Sequence, residues 1–258
     1  MSEGNVNFSS VYHSLDAILN FLKKGEFDHL PQVEQLLAIF SANYSHSIVK
    51  SKAERLHPFI VLEGLDGSGK TTMARKLTNK LSGQTMLTPP TCLHLLRSYF
   101  DDQPVGLRRA YYGLGNYIAA REVERLVQSC PVVMDRFWHS TAAWAIADEV
   151  RDKSLWLPPA SDPIYNWPED LTKPNIVLFL GLDETVRTAR HKGRNTTDTD
   201  EEQQLAKDGL FRETIIEAYK RIAGVHLVEI DASNYPNKVM KEIQEAIQHL
   251  LQQHQATD

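Results

Sequence analysis

Cysteine is almost missing from this chain. Cys92 and Cys130 are the only two, too few for a disulfide framework, and no Cys-x-x-Cys or Cys/His spacing suggests a structural metal. A reducing compartment is the simplest expectation. No apolar run approaches the roughly 18 residues a membrane-spanning helix needs. There is no surplus of positive charge either. Lys and Arg number 28 against 33 Asp and Glu, a net charge of -5. That argues against a protein that coats nucleic acid, although local basic clusters still suit small anions. The first residues lack an apolar signal core and carry Glu3, Asp16, Glu26 and Asp28, which fits a transit peptide poorly. If the protein is sent to an organelle, its targeting segment is expected to be missing from this sequence or already removed.

What is present divides near residue 57. Upstream, Val11, Leu15, Ile18, Leu19 and Leu22 recur at helical spacing, and Val33, Leu36, Leu37 and Phe40 do so after Pro31. Residues 1–57 therefore read as a helical extension, expected to cap a main domain at 58–258. A partner-binding or dimerising arm is the sharper alternative, and a homodimer stays open. From Pro58 the pattern becomes strand alternating with helix. Apolar runs at 59–62, 131–134, 176–180 and 225–230, with a weaker one at 84–87, alternate with helical stretches at 70–81, 106–128, 210–223 and 237–253. Alternation of this kind predicts an α/β fold: a five-stranded parallel sheet covered on both faces, the three-layer architecture of P-loop NTPases.

The most specific signal is Gly64-Leu65-Asp66-Gly67-Ser68-Gly69-Lys70-Thr71, followed by Thr72. It satisfies G-x-x-x-x-G-K-[ST] between an apparent strand and an apparent helix. Glycines let successive backbone N–H groups turn inward around phosphate oxygens, and the helix N-terminus adds a favourable field. Lys70 is expected to reach the β- and γ-phosphates and the Thr71 hydroxyl to bind Mg²⁺. Asp135, at the end of the 131–134 run, is the candidate acidic group for the same ion. No Asn-Lys-x-Asp motif is present, so a guanine-reading GTPase is not supported.

Several short motifs carry a resemblance. The run Ile60–Thr72, with Glu-Gly before the loop and Thr-Thr after it, resembles the thymidylate kinase family of P-loop nucleoside monophosphate kinases. So do Asp135-Arg136-Phe137 with Ser140 and Trp144, the segment Tyr117-Ile118-Ala119-Ala120-Arg121, and Pro174–Glu184 leading to a lid. Leu96–Asp101, Asp135–Ser140 and the helical region upstream are similar to the thymidylate-kinase-like mitochondrial UMP–CMP kinase type. The resemblance implies ATP as donor, Mg²⁺ as cofactor, pyrimidine nucleoside monophosphates as acceptors, and a mitochondrial location, with the cytoplasm as the alternative.

The resemblance also distributes roles. Tyr117 and Arg121, four apart, share a helical face that suits a nucleobase. Arg136 should grip the acceptor phosphate, and Asp66 should lie near the acceptor sugar and phosphate. Where family members carry an arginine after the second strand, this chain has Thr88-Pro89-Pro90-Thr91, and Arg97 is the expected substitute. Arg187, Arg190 and Arg194 rise at three- and four-residue steps ahead of an acidic run. They resemble lid arginines that neutralise the moving phosphoryl group and exclude water, Arg190 and Arg194 foremost. Asn234 is expected to border the adenine. A deoxynucleoside kinase, with Glu63 as base, and a non-catalytic nucleotide-binding scaffold are the rival readings.

Overall fold

Phe59–Glu63, strand β1, has no exposed residue along its length, because it lies at the centre of a sheet covered on both sides. In the computed structural model, which describes residues 8–24, 26–44, 55–192 and 205–255, five parallel strands stand in the order β2-β3-β1-β4-β5. The others are β2 (Gln84–Leu87), β3 (Val132–Asp135), β4 (Ile176–Gly181) and β5 (Leu227–Asp231). Side chains of β1 alternate between two cores. Phe59 and Val61 enter a large core on one face, and Ile60 and Leu62 a smaller one on the other. Two buried faces explain the continuous apolar runs.

The smaller core is roofed by α3 (Lys70–Leu81) and by the last helix, which begins at Pro236 and runs Pro236–Gln255. The larger one holds α5 (Val105–Leu126) and α6 (Trp138–Asp152). It also holds a helix at Gly209–Arg221, hereafter α8. A 3₁₀ turn at Thr91–Leu96 and the short α4 (Arg97–Asp101) link β2 to α5. Helix α7 (Glu184–Lys192) follows β4; the terminal helix is α9. The helices at 91–101 and 138–152 were not expected from sequence.

Helices α1 (Leu15–Lys23) and α2 (Pro31–Asn43) occupy the upstream region. Ser14 caps α1, its hydroxyl accepting from the Ala17 N–H, and α2 starts on proline. Ile18, Leu22, Val33 and Leu36 are buried in the same large core as α5 and α6. Burying side chains of this size contributes about 1.5–3 kcal/mol each. Polar ties reinforce the packing. Both oxygens of Glu149 on α6 accept main-chain N–H groups, from Ser10 at 2.6 Å and Ser9 at 3.2 Å. Asp170 accepts from the Leu15 N–H at 2.8 Å and the Tyr117 hydroxyl at 2.5 Å.

Candidate active site

The register Leu62↔Asp135 brings the end of β3 beside the turn that leaves β1. Gly64 must be glycine there. Its φ is 138°, and an added Cβ would lie 2.6 Å from the Leu180 carbonyl oxygen. Gly69, at φ 88°, ends the turn and α3 begins at Lys70. The aminium of Lys70 is 6% exposed and donates to the Leu65 carbonyl at 2.9 Å, with Asp66 at 3.8 Å. Burial, then the neighbouring Arg136, lowers its pKa to about 8, against the pull of Asp66, Asp135 and Glu63. A polyanion entering this turn would restore the ammonium's ordinary stability.

Thr71 Oγ1 donates to Asp135 Oδ2 at 2.5 Å, so the two expected Mg²⁺ ligands meet. Two hard oxygens beside a phosphate loop fit an ion that takes one or two protein oxygens and completes its shell with phosphate and water. Among the described residues no cluster of three or more His, Cys, Asp or Glu could hold a metal.

Arg136 directly follows β3 with a φ of 66°, a left-handed conformation that costs a non-glycine residue about 1–3 kcal/mol. Its surroundings hold it there. The Arg136 N–H donates to the Leu62 carbonyl, Nη2 to Asp66 Oδ1 at 2.6 Å and Nη1 to Ser140 Oγ at 3.0 Å. Burial opposes the charge, but Asp66, then Tyr219, Glu63 and Asp135 outweigh it and raise the pKa well above the ordinary arginine value. The guanidinium is therefore a fixed cation. Glu63 does not reach the cavity. It is fully buried, and its carboxylate accepts from the Phe137 and Ser140 N–H groups and the Ser140 hydroxyl. Burial pushes its carboxyl up, against Arg136 and those hydrogen bonds. It anchors the start of α6, a structural post and not the free base that a hydroxyl acceptor would call for.

A cavity of about 370 Å³ opens on this machinery. Asp66, Lys70, Thr71, Asp135 and Arg136 line one end. Arg97, Arg109, Tyr112, Thr141 and Trp144 build the other, with Thr88 and Pro89 between. Arg97 lines the same cavity as Arg136. Its Nε reaches Asp101 at 3.3 Å, and the Tyr112 hydroxyl donates to the other oxygen of Asp101 at 2.6 Å. Arg109 is buried, donates to Asp148 at 2.7 Å, and lies 5.8 Å from the Trp144 ring centroid and 5.9 Å from that of Tyr112.

The nucleobase pair expected at Tyr117 and Arg121 is corrected by this geometry. Tyr117 is buried against Asp170 and Tyr44, and Arg121 donates to Glu124 and to the Tyr44 hydroxyl. Neither lines the cavity. The cause is the packing of α1 and α2 on that face of α5. The face turned to the cavity carries Arg109 and Tyr112, with Asn116 buried on the next turn. Their three- and four-residue spacing was in the sequence, but the same periodicity fits Tyr117 and Arg121, so periodicity alone could not choose.

A second cavity, of about 680 Å³, flanks the other side of the loop. Gly67, Ser68, Gly69 and Thr72 line it with Arg190 and residues 232–236. Arg190 donates to the Ala232 carbonyl at 2.8 Å and approaches those of Asn234 and Gly67. Asn234 therefore borders this cavity. Gly64 and Leu65 shape the turn but line neither space. The expected common face of Arg187 and Arg190 is also corrected. Arg187 is buried and paired to Glu184 at 2.7 Å, because its step in the helix turns inward. Arg194 lies outside the described residues.

Comparison with known proteins agrees with this architecture. Residues 62–243 match the family model described as Thymidylate kinase. A human protein named UMP-CMP kinase 2, mitochondrial, is 40% identical over 190 residues, covering 74% of this chain but only 42% of its own length. The chain thus spans less than half of that relative. Thymidylate kinase of Leptospira borgpetersenii is 26% identical over 198 residues, covering 71% of this chain and 90% of that one. Among solved structures, thymidylate kinase from Candida albicans superposes with a TM-score of 0.57 at 19% identity, covering 77% of this chain and 93% of its own. Deoxyadenosine kinase from M. mycoides does so at 0.50 and 15%, covering 73% and 98%. These two likenesses are of fold alone. With the matched segment running from the end of β1 into α9, the chain belongs to the thymidylate kinase family.

Proposed function

We propose that this protein moves the γ-phosphoryl group of ATP to a pyrimidine nucleoside monophosphate, UMP, CMP or their deoxy forms, giving the diphosphate and ADP. The observation that carries the reading is the single cavity that gathers Lys70, the Thr71–Asp135 pair and Arg136, with Arg97 on the same cavity. A donor phosphate chain on the loop and an acceptor phosphate on the adjacent Arg136 would meet in line there. Thr71 and Asp135 would hold Mg²⁺, which would supply positive charge to the donor phosphates. Lys70 would bind the transferring group, and Arg136 would bind the acceptor phosphate through a two-pronged guanidinium contact. Asp66 then has two tasks: it orients Arg136 now, and it borders the acceptor. In the second cavity, Arg190 and Asn234 would border the donor base, and Arg190 and Arg194 would act as lid cations. No covalent intermediate with the protein is needed.

The 40% identical human relative carries UMP and CMP in its name, which supports those acceptors and a mitochondrial location. The apolar faces of α1 and α2 are spent on α5 within the same chain, which supports an intramolecular role for them over a dimerising arm. The test is ADP release with UMP, CMP, dUMP, dCMP, dTMP and uridine as acceptors, with and without Mg²⁺. Turnover with UMP and CMP, lost without Mg²⁺ and negligible with uridine, is expected. A preference for uridine over UMP would refute the assignment.

A further inference from the structure

On α6, Thr141 is among the residues that line the main cavity, one helical turn before Trp144. Behind it, on α5, Asn116 is 1% exposed. Its Nδ2 donates to Thr141 Oγ1 at 2.9 Å, whereas its Oδ1 is buried and has no partner among the described residues. Buried polar atoms are normally satisfied, so an orphan calls for an explanation. Only one other side-chain oxygen among the described residues is in that position: Ser68 Oγ, in the phosphate loop.

A carboxamide has an acceptor at one end and a donor at the other, in nearly the same shape, so a half-turn exchanges them. As Asn116 stands, it gives an N–H to Thr141, and the hydroxyl hydrogen is left to point at the cavity. Turned over, Oδ1 takes that hydrogen, and Thr141 faces the cavity with lone pairs. Among the described residues neither end of the amide has another hydrogen-bond partner, so the half-turn keeps one bond and breaks no other. A wall hydroxyl backed this way can either donate or accept.

We propose that Asn116 and Thr141 form a reversible donor–acceptor reader for the 4-position of the acceptor's pyrimidine ring. Thr141 touches the base, and Asn116 is the positioning residue. The hydroxyl donates to the carbonyl oxygen of uracil and accepts from the amino group of cytosine. The aromatic rings of Tyr112, four residues before Asn116 on α5, and Trp144, three after Thr141 on α6, line the same end of the cavity and give the base its apolar surroundings. A one-sense reader would leave one of the two bases with an unpaired buried group, a penalty of about tenfold or more in selectivity. The inference rests on the acceptor reading above.

The experiment measures kcat/KM for UMP and for CMP. Asn116→Asp, measured above the midpoint of its own carboxyl titration because burial raises that midpoint, has no donor and holds the Thr141 hydrogen permanently. Its UMP-to-CMP ratio is expected to fall about tenfold. Thr141→Val should lower both constants by about tenfold with an unchanged ratio, and Thr141→Ser should recover most of that loss. Unfolding midpoints of the variants establish that they are folded. A ratio in Asn116→Asp within about twofold of the parent, or a Thr141→Val protein with both constants intact, would overturn the reader. No turnover of either nucleotide by the parent protein would instead overturn the acceptor reading itself.

Discussion

The two ends of the main cavity are built in opposite ways. The phosphate end is made from residues that are neighbours in sequence: residues 66–72 line it almost unbroken, with Asp135 and Arg136 from the adjacent strand. The far end is assembled from Arg97, Arg109, Tyr112, Thr141 and Trp144, spread over three helices. Those helices are held from behind by a segment that lies outside the family match, within the described residues 8–24 and 26–44. A contiguous loop binds whatever carries phosphate; a wall assembled at long range can be retuned residue by residue. On the proposed function, the difference would place acceptor choice at the far end.

The largest effect that would test this contrast is at the loop. Lys70→Ala should lower kcat by about 10²–10³, the range for removing one electrostatic contact to a transferring group, for every acceptor alike. An acceptor-dependent loss would erase the distinction between the two ends. In the brace, Leu22 is fully buried in the core shared with α5. Leu22→Ala should lower the unfolding free energy by about 2–5 kcal/mol, as should Leu114→Ala in α5 itself. If urea titration finds the first harmless and the second costly, α1 is an appendage and not part of the wall's support.

Tyr112 and Arg121 separate the corrected face of α5 from the expected one. Tyr112→Ala should reduce kcat/KM for the nucleotide acceptor by about tenfold to a hundredfold through lost stacking, with the KM for ATP unchanged. Arg121→Ala should leave both constants near the parent's, since its guanidinium is engaged with Glu124 and Tyr44. Steady-state kinetics with one substrate saturating decides it, and the reverse pattern would restore the sequence-based assignment.

Two smaller effects are read against pH. Lys70 is a cation only while protonated, and its pKa is lowered to about 8. Therefore kcat/KM for ATP, which reports the free enzyme, should decline as pH rises through about 8. A flat profile up to about pH 10 would mean that its charge is not needed for capture. His139 is wholly buried beside the Trp167 ring, both ring nitrogens lack partners among the described residues, and burial lowers its pKa to about 3. As pH falls below about 6.5 the unfolded chain takes up a proton that the folded one refuses, so stability is lost down to the folded pKa. His139→Phe removes that linkage and should gain up to ~2 kcal/mol on the parent at pH 5. Equal acid sensitivity of the two proteins would show that His139 takes up a proton as readily as an exposed histidine.

Legibility followed the same division. The strand and helix around the loop were readable to within a residue or two, since apolar runs and the glycine spacing are local features. The runs at 84–87 and 176–180 likewise stand as β2 and β4, whereas the 225–230 run forms a strand only from Leu227. Helix α6 went unread because Trp138–Asp152 is buried over much of its surface, and a helix covered on several sides shows no clear polar stripe.

The chain's own order of residues determined the phosphate end: which amides turn inward, which lysine follows them, and which aspartate ends the next strand. It also determined the parallel sheet, through runs too apolar to face water on either side. Only tertiary structure decided which turn of α5 lines the main cavity, that Arg187 turns inward while Arg190 reaches the loop, and that Glu63 is a post. A helix offers several faces of similar composition, and a carboxylate or guanidinium serves structure or chemistry equally well. Which task each takes depends on the partners that long-range packing brings within hydrogen-bond distance.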